Sequence, residues 1–390
     1  MEEKEQEQTQ TQTQTETETK TKTETKTETK TESYAEVKAK YQAEQRKKLF
    51  TWLGGVVLVC IVLYVLLNRN ENKYKISYIL GFLFSTIKNL VLFILAVLIV
   101  YTLFTVISNM VEKQQLKSYK HGIKLDINGH TMVVAQYSIE KEKTIIILTG
   151  LLSASPALHY KPLAEALSDR YRVVILEPFG YGLSETLDPK EHERTVQNIV
   201  NEYHAAVKQL GINKYYLLGH SIGGTYSLYW TNAYPNEILG CILFDGMTLY
   251  SEELMVETDK SVQSIASINK LGIQRLISVF DNKKVFLPLY SKYNYTKEEV
   301  KMFRVLAIQK TFNDLVLNES KLMLSNLIFL KDMKFPKHIP VLDYVCSANV
   351  KAVANFKDTH LALGTECDKY ELIELEGDHL FYFMDNYDNK

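Results

Sequence analysis

Few folds accommodate an apolar run that stops at Gly-His-Ser-Ile-Gly-Gly and then resumes. Lys214 to Leu228 read KYYLLGHSIGGTYSL. The first half has the continuous apolar character of a buried strand and the second that of a buried helix, with Ser221 at the turn between them. A chain that reverses this sharply holds its apex residue in a strained conformation, and glycines two before and two after it leave room for neighbouring chain. The hydroxyl is thereby lifted off the sheet. A serine in such a turn can also be a simple helix cap; here the strand before and the helix after supply the setting of a nucleophile.

The remainder of the chain is uneven in composition. Residues 1–33 alternate Thr with Glu, Gln and Lys and contain no side chain suited to a core, which predicts a disordered tail. Tyr34 to Lys48 has helical propensity and turns basic, as a juxtamembrane helix would. Leu49 to Leu67 is an uncharged run of 19 residues, close to the roughly 20 that cross a bilayer as a helix. It starts too far into the chain, and is too long, for a secretory signal peptide. A second apolar stretch, Ile76 to Val111, is interrupted by Lys88 and Asn89. At about 54 Å as one straight helix it exceeds the bilayer, so the crossing is assigned to about 89–110, with Ile76 to Ile87 at the interface or tilting in and Lys88 reaching the headgroups. Two crossings (49–67 and about 89–110) within a membrane segment 49–111 place both ends on one side. The lysines and arginines preceding the first and following the second put that side in the cytoplasm, a multi-pass topology with the large domain inside.

A net charge of −1 excludes the basic surface that nucleic-acid binding needs. The four cysteines, Cys60, Cys241, Cys346 and Cys367, have no metal-ligand spacing and imply no disulfide framework. No metal or organic cofactor is expected.

From Lys117 onward short apolar runs alternate with amphipathic stretches, the pattern of an α/β domain built on a mainly parallel sheet. A hairpin about Asn128-Gly129 opens it. Then come the strand TIIIL and the loop and helix TGLLSASPALHYKPLAEAL, followed by the strand YRVVIL closed by EPFGYGLSE. The helix RTVQNIVNEYHAAVKQL leads into the strand that carries Ser221. This succession, strand-TG loop-helix, strand-EPFGYGLS, helix, strand-GHSIGG-helix, resembles the α/β-hydrolase superfamily over 117–390, and is most similar to its cap-bearing hydrolases of bacterial type. That fold hosts many chemistries, so the resemblance says little about substrate. About 90 residues of helical periodicity between Asp245 and Pro340 imply a helical cap at about 246–339.

A serine hydroxyl is a weak nucleophile until a base takes its proton. The resemblance puts that base after the last strand, where KYELIELEG leads into Asp378-His379-Leu380, which nominates His379. Many relatives carry the orienting carboxylate after strand 7; here that strand is PVLDYV, and the loop CSANVKAV has Asn349 near the expected place. Strand 6, Ile238 to Phe244, ends on Asp245, from which some haloalkane dehalogenases and lipases of this fold supply the acid. Asp245 is taken as the acid, with a turn-capping role as its bland alternative and Asp343 or Asp358 as other candidates. The Ile222 and Leu151 N–H groups are the expected oxyanion donors, although Thr149 stands where the family commonly has His. His220, Gly180, Gly182 and Ser184 are read as structural. The combined expectation is a membrane-anchored serine hydrolase acting on a small-molecule or lipid ester. The same residues would serve an acyltransferase or a peptidase, and a catalytically silent binding or signalling module is the reading from another class.

Overall fold

The computed structural model describes residues 73–249, 252–280 and 292–381, with scattered positions between 47 and 58. The expected tail, most of the juxtamembrane helix and most of the first apolar run lie outside the described residues. The chain divides into two compact units, Met1–Leu98 and Ile99–Lys390.

Helix α1, Lys73–Ser118, is a single α-helix of 46 residues. The interfacial piece and the separate crossing expected on either side of Lys88 and Asn89 are therefore one element. A charged side chain does not interrupt the backbone ladder, and Lys is itself a good helix former. Tyr78–Ser118 is long and apolar enough to cross a membrane, and its most apolar window is wholly unburied. It is one such helix among the described residues, where two were expected. Beyond Leu98 its surface changes: Tyr101, Thr105, Ser108, Asn109, Glu112 and Gln115 recur at three- and four-residue intervals, so they share a face, and each is at least partly covered.

The second unit is built on one eight-stranded sheet in the order β1-β2-β4-β3-β5-β6-β7-β8. Its strands are β1 Ile123–Ile127, β2 His130–Tyr137, β3 Thr144–Leu148, β4 Arg172–Glu177, β5 Tyr215–His220, β6 Ile238–Phe244, β7 Val341–Cys346 and β8 Tyr370–Leu375. Strand β2 runs antiparallel to β1 and β4, and the other pairings are parallel. Strands covered on both faces read as unbroken apolar runs, and all five residues of TIIIL are buried. One face packs under α4 (Val196–Gln209) and α5 (Ile222–Ala233), with Tyr203, Ile222 and Trp230 in the larger core. The other packs under α2 (Pro156–His159) and α3 (Lys161–Ser168), through Ala157, Tyr160 and Ala164. The mainly parallel, helix-flanked sheet expected from the sequence is present.

Between β6 and β7 the described residues form four helices: α6 Glu252–Lys270, α7 Ile273–Phe280, α8 Lys297–Lys310 and α9 Asp314–Phe329. Their starts follow local chemistry. Thr296 and Glu299 make a reciprocal capping box on α8, and the Asn313 side chain accepts from the first turn of α9. Two short helices, α10 Ser347–Ala352 and α11 Phe356–Leu363, separate β7 from β8.

Candidate active site

Sheet register brings the key residues together. His220 pairs with Phe244 and Phe244 with Tyr344, so the residues that follow β5 and β6, Ser221 and Asp245, leave the sheet side by side. Main-chain bonds lock that exit: Ser221 N–H donates to Phe244 O (3.1 Å) and Asp245 N–H to Tyr344 O (2.7 Å). The carboxyl ends of parallel strands are where open α/β sheets form their clefts. Ser221 has φ 55° and ψ −124°, a conformation that costs a non-glycine residue about 1–3 kcal/mol. Gly223 lets α5 start there, since a β-carbon on it would sit 2.4 Å from Leu148 O.

Asp245 is buried and heavily solvated by protein. Its Oδ1 accepts from Cys346 N–H (2.9 Å), and its Oδ2 from the Cys346 thiol (3.3 Å), Asn349 Nδ2 (2.5 Å) and His379 Nδ1 (2.5 Å). Burial, reinforced by the Asp245 charge, pushes the Cys346 thiol up to about 12, so it remains a proton donor. With Nδ1 held by Asp245, Nε2 is the imidazole nitrogen left for other work. The ring is 42% exposed at its side chain. Ser221, Asp245, Gly246, Met247, Asn349, Phe356 and His379 line one cavity of about 200 Å3. No hydrogen bond joins Ser221 to His379 among the described residues. The other acids lie elsewhere: Asp343 is buried with His360 (2.7 Å) and the Tyr370 hydroxyl (2.5 Å), and Asp358 is exposed at the start of α11.

Two further strands of the site meet beneath the serine. A β-carbon on Gly150 would lie 3.1 Å from Ser221 Cβ, which sets the Thr149-Gly150-Leu151 loop against Ser221. Ile222 opens α5, so its N–H belongs to the unpaired first turn of a helix. The loop is anchored through a chain: Gly150 N–H donates to Tyr160 Oη (3.3 Å), the Tyr160 hydroxyl to His220 Nδ1 (2.9 Å), and His220 Nε2–H to His379 O (3.1 Å). Because the last acceptor is a carbonyl, Nε2 must carry the proton. His220 thus ties the loop of β3 to the loop of His379, a link no local sequence signal announces. Below it, the Glu177 carboxylate that ends β4 accepts from the Ala157 and Leu183 N–H groups and from Ser155, and bonds His121. Gly180, Gly182 and Ser184 form the turn around it.

Burial holds two imidazoles of this region below their ordinary value: His159 falls to about 3, and His220 is likewise pushed well down, by burial first and then by His379 and His159. A histidine kept neutral in the fold takes up a proton on unfolding once pH drops below about 6.5, so its stabilisation is complete above that pH and is lost on acidification toward the folded value. Between pH 6.5 and 5 this costs about 2 kcal/mol for His159, and His220 acts in the same direction. Urea unfolding of the full chain in detergent, followed by fluorescence, should show that loss, and His159→Gln should reduce it by about 2 kcal/mol.

A family model described as the alpha/beta hydrolase fold matches residues 143–294. The uncharacterized protein YbdG of Bacillus subtilis (strain 168) is 27% identical over 272 residues, 67% of this chain and 81% of its own length. A putative carbamate hydrolase RutD of Pantoea ananatis is 24% identical over 121 residues, 31% of this chain and 42% of its own. Among solved structures, epoxide hydrolase VrEH1 from Vigna radiata superposes with a TM-score of 0.50 at 19% identity, covering 66% of this chain and 91% of that one. A mutant Vigna radiata epoxide hydrolase gives 0.51 at 16% identity, covering 68% and 94%. At these identities the likeness is one of fold.

Proposed function

We propose that this chain is a member of the α/β-hydrolase superfamily, whose family model matches residues 143–294, and a membrane-anchored serine hydrolase that cleaves an ester or similar acyl bond through an acyl-Ser221 intermediate. The observation that carries the reading is the shared exit of Ser221 and Asp245 from the sheet, with His379 bonded to Asp245 in the same cavity. His379 Nε2 takes the Ser221 proton as Oγ bonds the carbonyl carbon, then gives it to the leaving alcohol; in the second half it takes a proton from water as the water oxygen bonds the acyl carbon, and returns it to Ser221 Oγ as that bond breaks and the acid leaves. Asp245 holds the imidazole in the tautomer this needs. The Leu151 and Ile222 N–H groups receive the oxyanion. In the ligand-free chain the serine–histidine hydrogen bond is the kind of contact that tightens only with substrate.

Fold likeness to epoxide hydrolases does not carry over to chemistry. A serine oxygen opening an epoxide would form an ether, which water at neutral pH does not cleave, whereas an acyl-serine is hydrolysed readily. A hydroxyl at the apex therefore favours acyl substrates, a class that includes the carbamates named for RutD. An apolar cleft lined by Leu228, Met247, Leu327, Leu330 and Leu363 shares Met247 with the site, and suits an acyl chain.

A fluorophosphonate probe is the direct test: it should label the full chain covalently at Ser221, and a folded wild type that stays unlabelled would overturn the reading. Anchoring completes it, with α1 and the 49–67 run as two crossings and the catalytic unit in the cytoplasm. Protease added to intact cells should then leave residues 117–390 uncut; cleavage there would reverse the sidedness.

A further inference from the structure

The second half of α1 is docked on the helical insert as well as being apolar. Tyr101 Oη donates to Leu271 O (2.6 Å), and Gly272 sits so close that a β-carbon on it would be 2.8 Å from Thr105 Cγ2. Lower on the same face Arg275 donates to both Glu112 oxygens (2.9 and 2.8 Å), and Gln309 to Asn109 and Glu112 (2.9 and 2.6 Å). From Glu112 back to Tyr101 is 11 residues, or about 16 Å along a helix. The α6–α7 corner thus reaches some three turns back along α1 from the ion pair, into the stretch that the membrane reading assigns to the bilayer.

That corner has the surface of a segment meeting lipid. Ile265, Ile268, Leu271, Leu276 and Ile277 are 53%, 51%, 63%, 40% and 46% exposed. Residues 261–277 contain two charged side chains, Lys270 and Arg275, and each is paired, with Asp314 (3.4 Å) and Glu112 respectively. The acidic half of α6, with Glu252, Glu253 and Glu257, lies at its other end. On α1, Leu103, Val106, Ile107 and Met110 are likewise exposed. Contiguous apolar surface of this kind, continuous with a helix able to cross a membrane, marks an interaction face.

We infer that the α6–α7 corner is embedded in the lipid bilayer beside α1, so that the helical insert between β6 and β7 is itself a membrane-contact element. This rests on the anchored reading of α1 and is independent of the serine chemistry.

Spin labelling in vesicles tests it. The full chain, with Cys60→Ser and Cys367→Ser to remove background thiols, is reconstituted in phosphatidylcholine–phosphatidylglycerol vesicles carrying one nitroxide-labelled cysteine: Ile268→Cys, Leu271→Cys, Glu257→Cys or Leu95→Cys. The expected result is that oxygen relaxes the labels at 268, 271 and 95 more than an aqueous nickel chelate does, with the order reversed at 257. If position 95 reports lipid but 268 and 271 report water, the inference is wrong and the anchor stands. Water at all four positions removes both. Shielding of 268 and 271 from both reagents would mean that protein, such as a second copy, covers the corner, and would also overturn it.

Discussion

Ser221→Ala is expected to reduce ester turnover by roughly 10⁴–10⁶-fold and to abolish fluorophosphonate labelling. The loss is large because no other group near the cavity can form the acyl intermediate: the remaining lining polar groups are Asp245, already accepting four hydrogen bonds, Asn349, and the imidazole itself. The residual rate is that of the oxyanion donors and substrate binding alone. Alanine keeps the β-carbon, so the strain at φ 55° is retained and thermal stability should barely change. Ser221→Gly should be equally inactive yet more stable by about 1 kcal/mol, since glycine adopts positive φ freely. A variant pair in which both activity and stability are indifferent to position 221 would mean that the strain has another purpose.

That strain is also why the serine was legible before any coordinates. Glycines flanking one hydroxyl between a strand and a helix are a local signal, and local signals survive in sequence. Asp245 was legible in part, as the residue on which an apolar strand ends. Its surroundings were not. Cys346 and Asn349 reach it across 101 and 104 residues, through the β6–β7 register, and nothing in CSANVKAV announces three donors aimed at a carboxylate. Asn349, which stands where many relatives carry the acid, donates to Asp245. His220 is a similar case: a histidine beside the serine reads as packing, while its two bonds connect loops 60 and 159 residues away. In α1 the length of the apolar stretch and the polar pair Lys88 and Asn89 suggest an interfacial or tilted part before the crossing, and the structure has one continuous helix there. Side-chain charge decides where a helix sits in a bilayer, but the backbone decides whether it continues. Its polar stripe from Tyr101 to Gln115 could be read as a helix face, but its partners lie up to 200 residues further on.

Asp245→Asn is expected to lower kcat by about 10⁴-fold with the fold intact. The carboxylate accepts on both oxygens, whereas an amide has one acceptor oxygen and an NH2 group. If the amide oxygen stays with Cys346 N–H, the NH2 faces His379 Nδ1 and can only donate to it. Nδ1 must then accept, the proton moves to Nε2, and the nitrogen turned to the cavity can no longer take the proton of Ser221. Asn349→Ala leaves the carboxylate in place and removes one of its donors, so the effect should be nearer tenfold, the worth of one charge-assisted hydrogen bond. Asp343→Asn supplies the control, because that carboxylate is engaged by His360 and Tyr370 and its loss should show in stability rather than in kcat. Steady-state kinetics on a short-chain aryl ester, with circular dichroism to verify folding, separates the three. Unchanged turnover in the Asp245 variant would remove it from the reaction and return the search for the acid to the far side of β7.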